Sequence, residues 1–125
     1  MKIISTSDAP TPGGHYSQGM EAGAFVFVSG MLPTLTSAGG KSDTFDAQVA
    51  SALQHCESVL TAAGCGLSDV VQCTAYVVGV DNWPIFNRVY SERFGSHKPA
   101  RAVIPVPELR HGALIEIQMI AQKPD

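Results

Sequence analysis

Arg101 and Glu116 stand inside two apolar runs near the end of the chain, at 100–106 and 114–121. Both runs have the length and the residue types of a β-strand. Side chains in a strand alternate between faces, so Glu116 shares one face with Leu114, Gln118 and Ile120. A buried carboxylate needs a charged or hydrogen-bonding partner. The Glu116 face therefore either meets solvent or lines a pocket that contains donors.

These two side chains predict a particular chemistry. A guanidinium group binds a carboxylate through two parallel hydrogen bonds, and a glutamate can orient a water molecule or move a proton. Together they fit the hydrolysis of a small organic acid without a metal ion or a protein nucleophile. The sequence has no P-loop, no GxGxxG, no HExxH and no GxSxG motif, so the familiar alternatives have no support.

Two backbone features lie in the first third of the chain. A loop at residues 8–14, rich in Pro and Gly, leads to a polar cluster that contains Tyr16. That cluster is either a binding loop or a turn with an exposed tyrosine. Gly30 ends a predicted strand at 24–29, where the missing side chain lets the backbone approach a ligand or a neighbouring segment.

The pattern of apolar residues predicts which faces of the strands are covered. The strand at 24–29 is apolar on both sides, which predicts burial of both faces. In the strand at 69–80, alternation places Val71 with Cys73 on the apolar face and leaves a semi-polar face opposite. Such a sheet is covered by helices on one side and meets water or another subunit on the other.

The predicted elements define a fold class. Strands are expected at 1–6, 24–29, 69–80, 100–106 and 114–121, helices at 44–63 and 81–94, and a loop at 36–42. Asp43 is the expected N-cap of the first helix. Cys56 lies on its apolar stripe, Gln48 on another face, and Cys65 in a more exposed turn; Asn87 borders the stripe of the second helix. This order predicts one α+β domain spanning residues 1–125, with a mixed sheet and two helices on one face.

Composition restricts the partners. The net charge of −3 disfavours a nucleic-acid ligand, and 15% charged against 45% hydrophobic residues favours contacts between subunits. The absence of an apolar run of about 20 residues, and of a signal peptide, predicts a cytoplasmic protein that does not enter a membrane. The three cysteines have no CxxC spacing and the histidines do not cluster, so reduced thiols and no metal or other cofactor are expected.

Six short stretches together resemble one protein family. They are GGHYSQG at 13–19, VSGMLP at 28–33, AAG at 62–64, FNRVY at 86–90, PAR at 99–101 and IEI at 115–117. In this order and spacing the chain resembles, over nearly its whole length, the Rid (YjgF-like) family of enamine/imine deaminases. The PAR and IEI pair is the most distinctive part of the resemblance.

The resemblance implies a chorismate-mutase-like fold and a homotrimer, with sheets around a central barrel, helices outside and active sites between subunits. It implies that Arg101 binds the substrate carboxylate, Glu116 positions the attacking water and Tyr16 closes the pocket. It also implies that backbone groups of Gly30 and Val103 contact the ligand. Asn87 matches a family position near the site and is expected among the substrate-binding residues.

Four positions depart from the family pattern. His15 stands where Pro is common, and Val103 stands where many members have Cys. Pro107 replaces a small or basic residue, and Gln118 replaces a second acid. These departures bear on substrate range, and they leave Arg101 in place.

The function implied is hydrolytic deamination of reactive 2-enamine or 2-imino acids, such as 2-aminoacrylate or 2-iminopropionate, to a 2-keto acid and ammonia. One alternative is a dedicated catabolic deaminase of an aminomuconate-like acid. Another is a non-catalytic trimeric protein that binds a small ligand or regulates, in a translation-inhibitor or ribonuclease type of role.

Overall fold

A computed structural model describes residues 1–36 and 43–125, and the predicted loop at 36–42 lies outside this part from residue 37 onward. The strands are β1 Lys2–Ile4, β2 Gly19–Ala22, β3 Phe25–Met31, β4 Val70–Val78, β5 Ala100–Val106 and β6 Ile115–Gln122. The helices are α1 Phe45–Ala62 and α2 Trp83–Phe94. Short 3-10 turns precede β4, α2 and β6. Among the described residues, no helix has the length and apolar character needed to cross a membrane.

The strands form one mixed sheet in the order β1-β2-β3-β6-β4-β5. Only the β4–β5 pair is parallel among the described strands, and its crossover contains α2, because parallel neighbours need a long connection. Strand β5 lies at one edge of the sheet and contains Pro105. The predicted α+β class, with a mixed sheet and two helices, is confirmed.

The core lies between one face of the sheet and the helices. Helix α1 packs on β3, β6 and α2. Its apolar stripe is buried, as the 3.6-residue period predicts. On β6 the alternation holds as predicted, because Ile115, Ile117, Met119 and Ala121 are all buried. This burial turns Glu116 and Gln118 to the opposite face.

The sequence missed strand β2, whose residues GMEA have little β propensity. Hydrogen bonds to the neighbouring strands β1 and β3 stabilise β2 despite this low propensity. Gly19 permits a close approach here, because a Cβ at this position would lie 2.8 Å from Cγ1 of Val59 and 3.2 Å from the carbonyl oxygen of Phe27. A side chain at residue 19 would push β2 away from α1.

Two predictions about strand faces were wrong. Strand β3 is covered on one face only, since Phe25 and Phe27 are 41% and 44% exposed in the single chain. Val71 is exposed rather than on the apolar face, because the β4–β6 register shifts between Val70 and Gln72. A bulge of this kind inserts one residue and breaks the alternation.

Three predictions around α1 were also wrong. The N-cap is Thr44, whose hydroxyl accepts a hydrogen bond from the Ala47 amide, and not Asp43. Gln48 is buried, and its side-chain oxygen accepts a hydrogen bond from the Leu114 amide at 2.9 Å. Cys65 is buried as well. The polar type of Gln48 hid its role, since a buried amide needs a partner that only the fold supplies.

The close approach at Gly19 gives a stability prediction. Gly19→Ala should lower the free energy of unfolding by about 1–3 kcal/mol, as overpacking typically does. Thermal and urea unfolding at fixed protein concentration measure the change. Gly13→Ala is the matched control, since no atom lies within 4 Å of its added methyl group. Equal stability of the two variants would contradict the packing described for Gly19.

Candidate functional site

The predicted site residues fall into two groups on opposite faces of the sheet. Arg101 pairs with Cys73 in the parallel β4–β5 ladder, and Cys73 is buried on the helix side. Glu116 pairs with Tyr76, which alternation places on the other side. Within one chain, therefore, the Arg101 and Glu116 side chains do not meet.

The first group surrounds the Arg101 guanidinium. Nη1 of Arg101 donates a hydrogen bond to Oδ1 of Asn87 at 2.9 Å. The guanidinium carbon lies 4.9 Å from the centroid of the Tyr90 ring and 5.7 Å from that of Phe86. Val103 lies two residues further along β5, opposite Ala75, and is half-buried. Helix α2 thus contributes an amide and two aromatic faces that hold the guanidinium at the sheet edge.

Most of the Arg101 donors stay available. Its side chain is exposed and forms no ion pair with a carboxylate of the described residues. A guanidinium group has five N–H donors. Among the described residues, only the hydrogen bond to the Asn87 side chain uses one of them. This is the arrangement that binds a carboxylate through two parallel hydrogen bonds.

Sequence analysis missed the role of Tyr90, which reads only as part of the apolar stripe of α2. Its ring is buried between Phe86 and Phe94, at centroid distances of 5.4 and 4.5 Å. Its buried hydroxyl has no hydrogen-bond partner among the described residues, and burial raises its pKa. Burial also raises the pKa of the neighbouring Cys73 thiol to about 12, so this thiol is inert.

The second group brings Glu116 against Gly30. A Cβ at Gly30 would collide with Oε1 of Glu116 and lie 3.1 Å from its carboxyl carbon. The β3–β6 register shifts between Val28 and Met31, which places Gly30 at the irregularity. Glu116 is half-buried, and this burial raises the pKa of its carboxyl group. A carboxylate with a raised pKa is a stronger base than an exposed one.

Tyr16 and Gly30 line one cleft of about 350 Å³. Tyr16 is exposed, and its hydroxyl accepts a hydrogen bond from the Gly13 amide at 3.4 Å. The loop is held from beneath by Gln18, a buried residue whose amide bonds the backbone of Thr6, Ala9 and Pro10. Nothing in the sequence indicates this anchor beyond a polar residue two positions after the tyrosine.

Arg110 and His111 line the same cleft, and sequence reasoning did not select them. They lie in the turn before β6, where His111 has a left-handed backbone with φ 62° and ψ 17°. A non-glycine residue in this conformation is uncommon and is often functional. Metal coordination has no obvious place, since the described residues contain no group of three or more His, Cys, Asp or Glu side chains that could hold an ion.

The fold and the two groups define a small α+β domain that presents an exposed arginine stacked on an aromatic ring and a half-buried carboxylate. The chain belongs to the Endoribonuclease L-PSP family, also known as YjgF/RutC/Rid, which it matches over residues 6–123. It is 40% identical over 124 residues to a RutC family protein of Pyrococcus horikoshii, with 98% of each chain covered.

Two further relatives have informative names. The chain is 32% identical over 123 residues to the 2-iminobutanoate/2-iminopropanoate deaminase of Salmonella typhimurium, with 96% of each chain covered. It also matches the crystal structure of E. coli TdcF with bound serine, at a TM-score of 0.91 and 29% identity. That match covers 99% of this chain and 100% of the TdcF chain.

The stacking of Arg101 on Tyr90 gives the second prediction. Tyr90→Leu removes the aromatic face and should weaken the binding of 2-oxobutanoate about fivefold, as expected for a cation–π contact of about 1 kcal/mol. Tyr90→Phe keeps the ring and removes only a hydroxyl without a partner, so its affinity should stay at the wild-type value. Isothermal titration calorimetry measures both. If Phe lost as much affinity as Leu, the ring would not be what holds Arg101.

Proposed function

We propose that this protein hydrolyses reactive 2-enamine or 2-imino acids to 2-keto acids and ammonia. The observation that carries the proposal is the Arg101 guanidinium, which is held by Asn87 and Tyr90 and keeps donors free for a carboxylate. The deaminase name of the Salmonella typhimurium relative supports the reaction type. The substrate class is a small 2-imino acid, and no cofactor enters the reaction.

In the proposed reaction, Arg101 binds the substrate carboxylate through two N–H donors. An enamine first gains a proton on carbon and loses one from nitrogen, which gives the imine. Glu116 then takes a proton from water while the oxygen bonds to the imine carbon, and passes this proton to the nitrogen as the C=N double bond becomes single. In the resulting carbinolamine the hydroxyl proton moves through Glu116 to the nitrogen, the C–N bond breaks, and ammonia and the keto group form. Atoms balance as imine plus water giving keto acid plus ammonia.

The complete site would form between two copies of the chain. Arg101 and Glu116 lie on opposite faces of one sheet, so a site with both needs Arg101 from one copy and Glu116 from another. The uncovered face also exposes Phe25 and Phe27, two large apolar side chains on the same face of β3 that a second copy would cover. A homotrimer with three such sites, as the family resemblance implies, would cover this face.

The substrate contacts of the other residues follow from the same arrangement. Tyr16 would close the cleft over the substrate, while backbone groups of Gly30 and Val103 would contact it from the two copies. Asn87 would hold the guanidinium of Arg101 and not the substrate itself. We place the protein in the cytoplasm, because all three cysteines are free thiols.

The family description names an endoribonuclease, and RNA cleavage is the competing activity. The net charge of −3 opposes it, since RNA binding draws most of its affinity from basic residues that neutralise phosphates. The acidic balance therefore favours the small-acid substrate. A non-catalytic ligand-binding role is opposed by the half-buried Glu116, which ligand binding alone does not require.

Single variants give the third prediction. Arg101→Lys keeps the charge but loses the planar guanidinium group. It should lower kcat/KM by an amount that corresponds to an increase of about 2–5 kcal/mol in activation free energy. Glu116→Gln keeps the shape and should lower kcat more than it lowers affinity for an inert keto acid. Imines generated by an amino-acid oxidase provide the substrate, and Arg88→Gln is the control for a surface arginine. If the Arg101→Lys variant hydrolysed imines at the wild-type rate, Arg101 would be only a solvated surface charge and would not bind the substrate.

A mixture of inactive variants gives the fourth prediction. Chains with Arg101→Ala and chains with Glu116→Gln, co-expressed in equal amounts, should recover activity, because about one quarter of the sites between copies would hold both wild-type residues. Light scattering should give about three times the 13.2 kDa chain mass for each preparation. Recovery of activity cannot occur if both residues act from the same chain, and its absence in a mixed trimer would contradict the shared site.

A further inference from the structure

We propose that Arg110 and His111 form a second anion-binding subsite, and that the substrate is a 2-imino acid whose side chain ends in another carboxylate. This inference rests on the proposed function and specifies its substrate class. Both residues line the cleft that holds Tyr16 and Gly30, and Gly30 lies against Glu116. A ligand reaching Glu116 through this cleft would pass the Arg110 guanidinium and the His111 ring.

The chemistry of the cleft favours an extended acid. Its walls include Met31, Leu32 and Pro33, and no Asp or Glu is among the residues that line it. Its volume of about 350 Å³ is that of a site for a small organic molecule. An apolar wall suits a short methylene chain, and the Arg110 guanidinium beside the His111 ring suits a negative group at the end of that chain.

Arg110 and His111 lie on a turn that is fixed to the core. The Ala113 amide donates to the carbonyl of Arg110 at 3.2 Å, and Ala113 is buried. The next amide, of Leu114, donates to the side chain of the buried Gln48 on α1. A left-handed His111 between these anchors has its backbone conformation set before any ligand binds. Such preorganisation lowers the entropy lost on binding.

Neither side chain has a partner among the residues that the structure describes. Arg110 and His111 form no hydrogen bond or ion pair with side chains of the described residues, whereas Arg93 bonds Glu57 at 2.9 Å. Arg88 likewise lies between two carboxylates. In a chain with 11 acidic and 8 basic residues, an arginine without a carboxylate partner among the described residues is a local positive charge in this cleft, and the His111 ring adds nitrogen atoms that can form hydrogen bonds.

The test compares two imines of equal carbon number. Oxidation of glutamate gives 2-iminoglutarate, and oxidation of norvaline gives 2-iminopentanoate, which lacks the second carboxylate. The wild type should prefer 2-iminoglutarate. Arg110→Gln should lower kcat/KM for it about tenfold, as expected for a charged hydrogen bond, and change 2-iminopentanoate less than twofold. His111→Asn, which tolerates the left-handed backbone, should give a smaller loss in the same direction.

Controls separate this inference from the proposed function. Arg88→Gln removes a positive charge away from the cleft and should affect neither substrate. Affinities for 2-oxoglutarate and 2-oxopentanoate, measured by calorimetry, test the subsite even if no imine is hydrolysed, an outcome that would reject the proposed function alone. Arg110→Lys keeps the charge and serves if the Gln variant does not fold. Equal losses on both ligands, or no loss on either, would overturn the subsite, and tighter binding of inorganic phosphate than of 2-oxoglutarate would reject the carboxylate assignment.

Discussion

The position of β6 between β3 and β4 is the constraint on which the rest of the structure depends. Its alternate residues Ile115 and Ile117 are fully buried, and a register slip of one residue would turn Glu116 into the core in their place. Because side chains in a strand alternate strictly, covering this face with α1 fixes the acid on the opposite face. The same strand therefore supplies the centre of the core and the candidate catalytic carboxylate.

Periodicity predicted the parts of the fold that bury apolar side chains, and it failed where a contact overrides local preference. The β6 alternation and the α1 stripe follow from the spacing of apolar residues alone. Strand β2 does not follow from that spacing. Its first residue, Gly19, has low strand propensity and permits the close approach of α1. The bulge at Val71 and the buried amide of Gln48 depend on partners distant in sequence.

The candidate site shows the same division. Sequence singled out Arg101 and Glu116 by type, since each is a charge in an apolar run. It could not show that they face opposite sides of the sheet, because that follows from the parallel register of β5 on β4. Tyr90 was missed for another reason. An aromatic residue on an apolar stripe is interpreted as a core residue, and Tyr90 is buried, but its ring also stacks on the Arg101 guanidinium. One side chain can serve both purposes.

Pro105 in the edge strand β5 has a consequence for solubility. An unpaired edge offers a row of N–H and C=O groups to which another chain can add a strand, and repetition of that step builds fibres. Proline has no N–H, so the row of donors of β5 is incomplete, while the opposite edge, β1, has three residues only. Both edges of the sheet thus resist open-ended growth by strand addition.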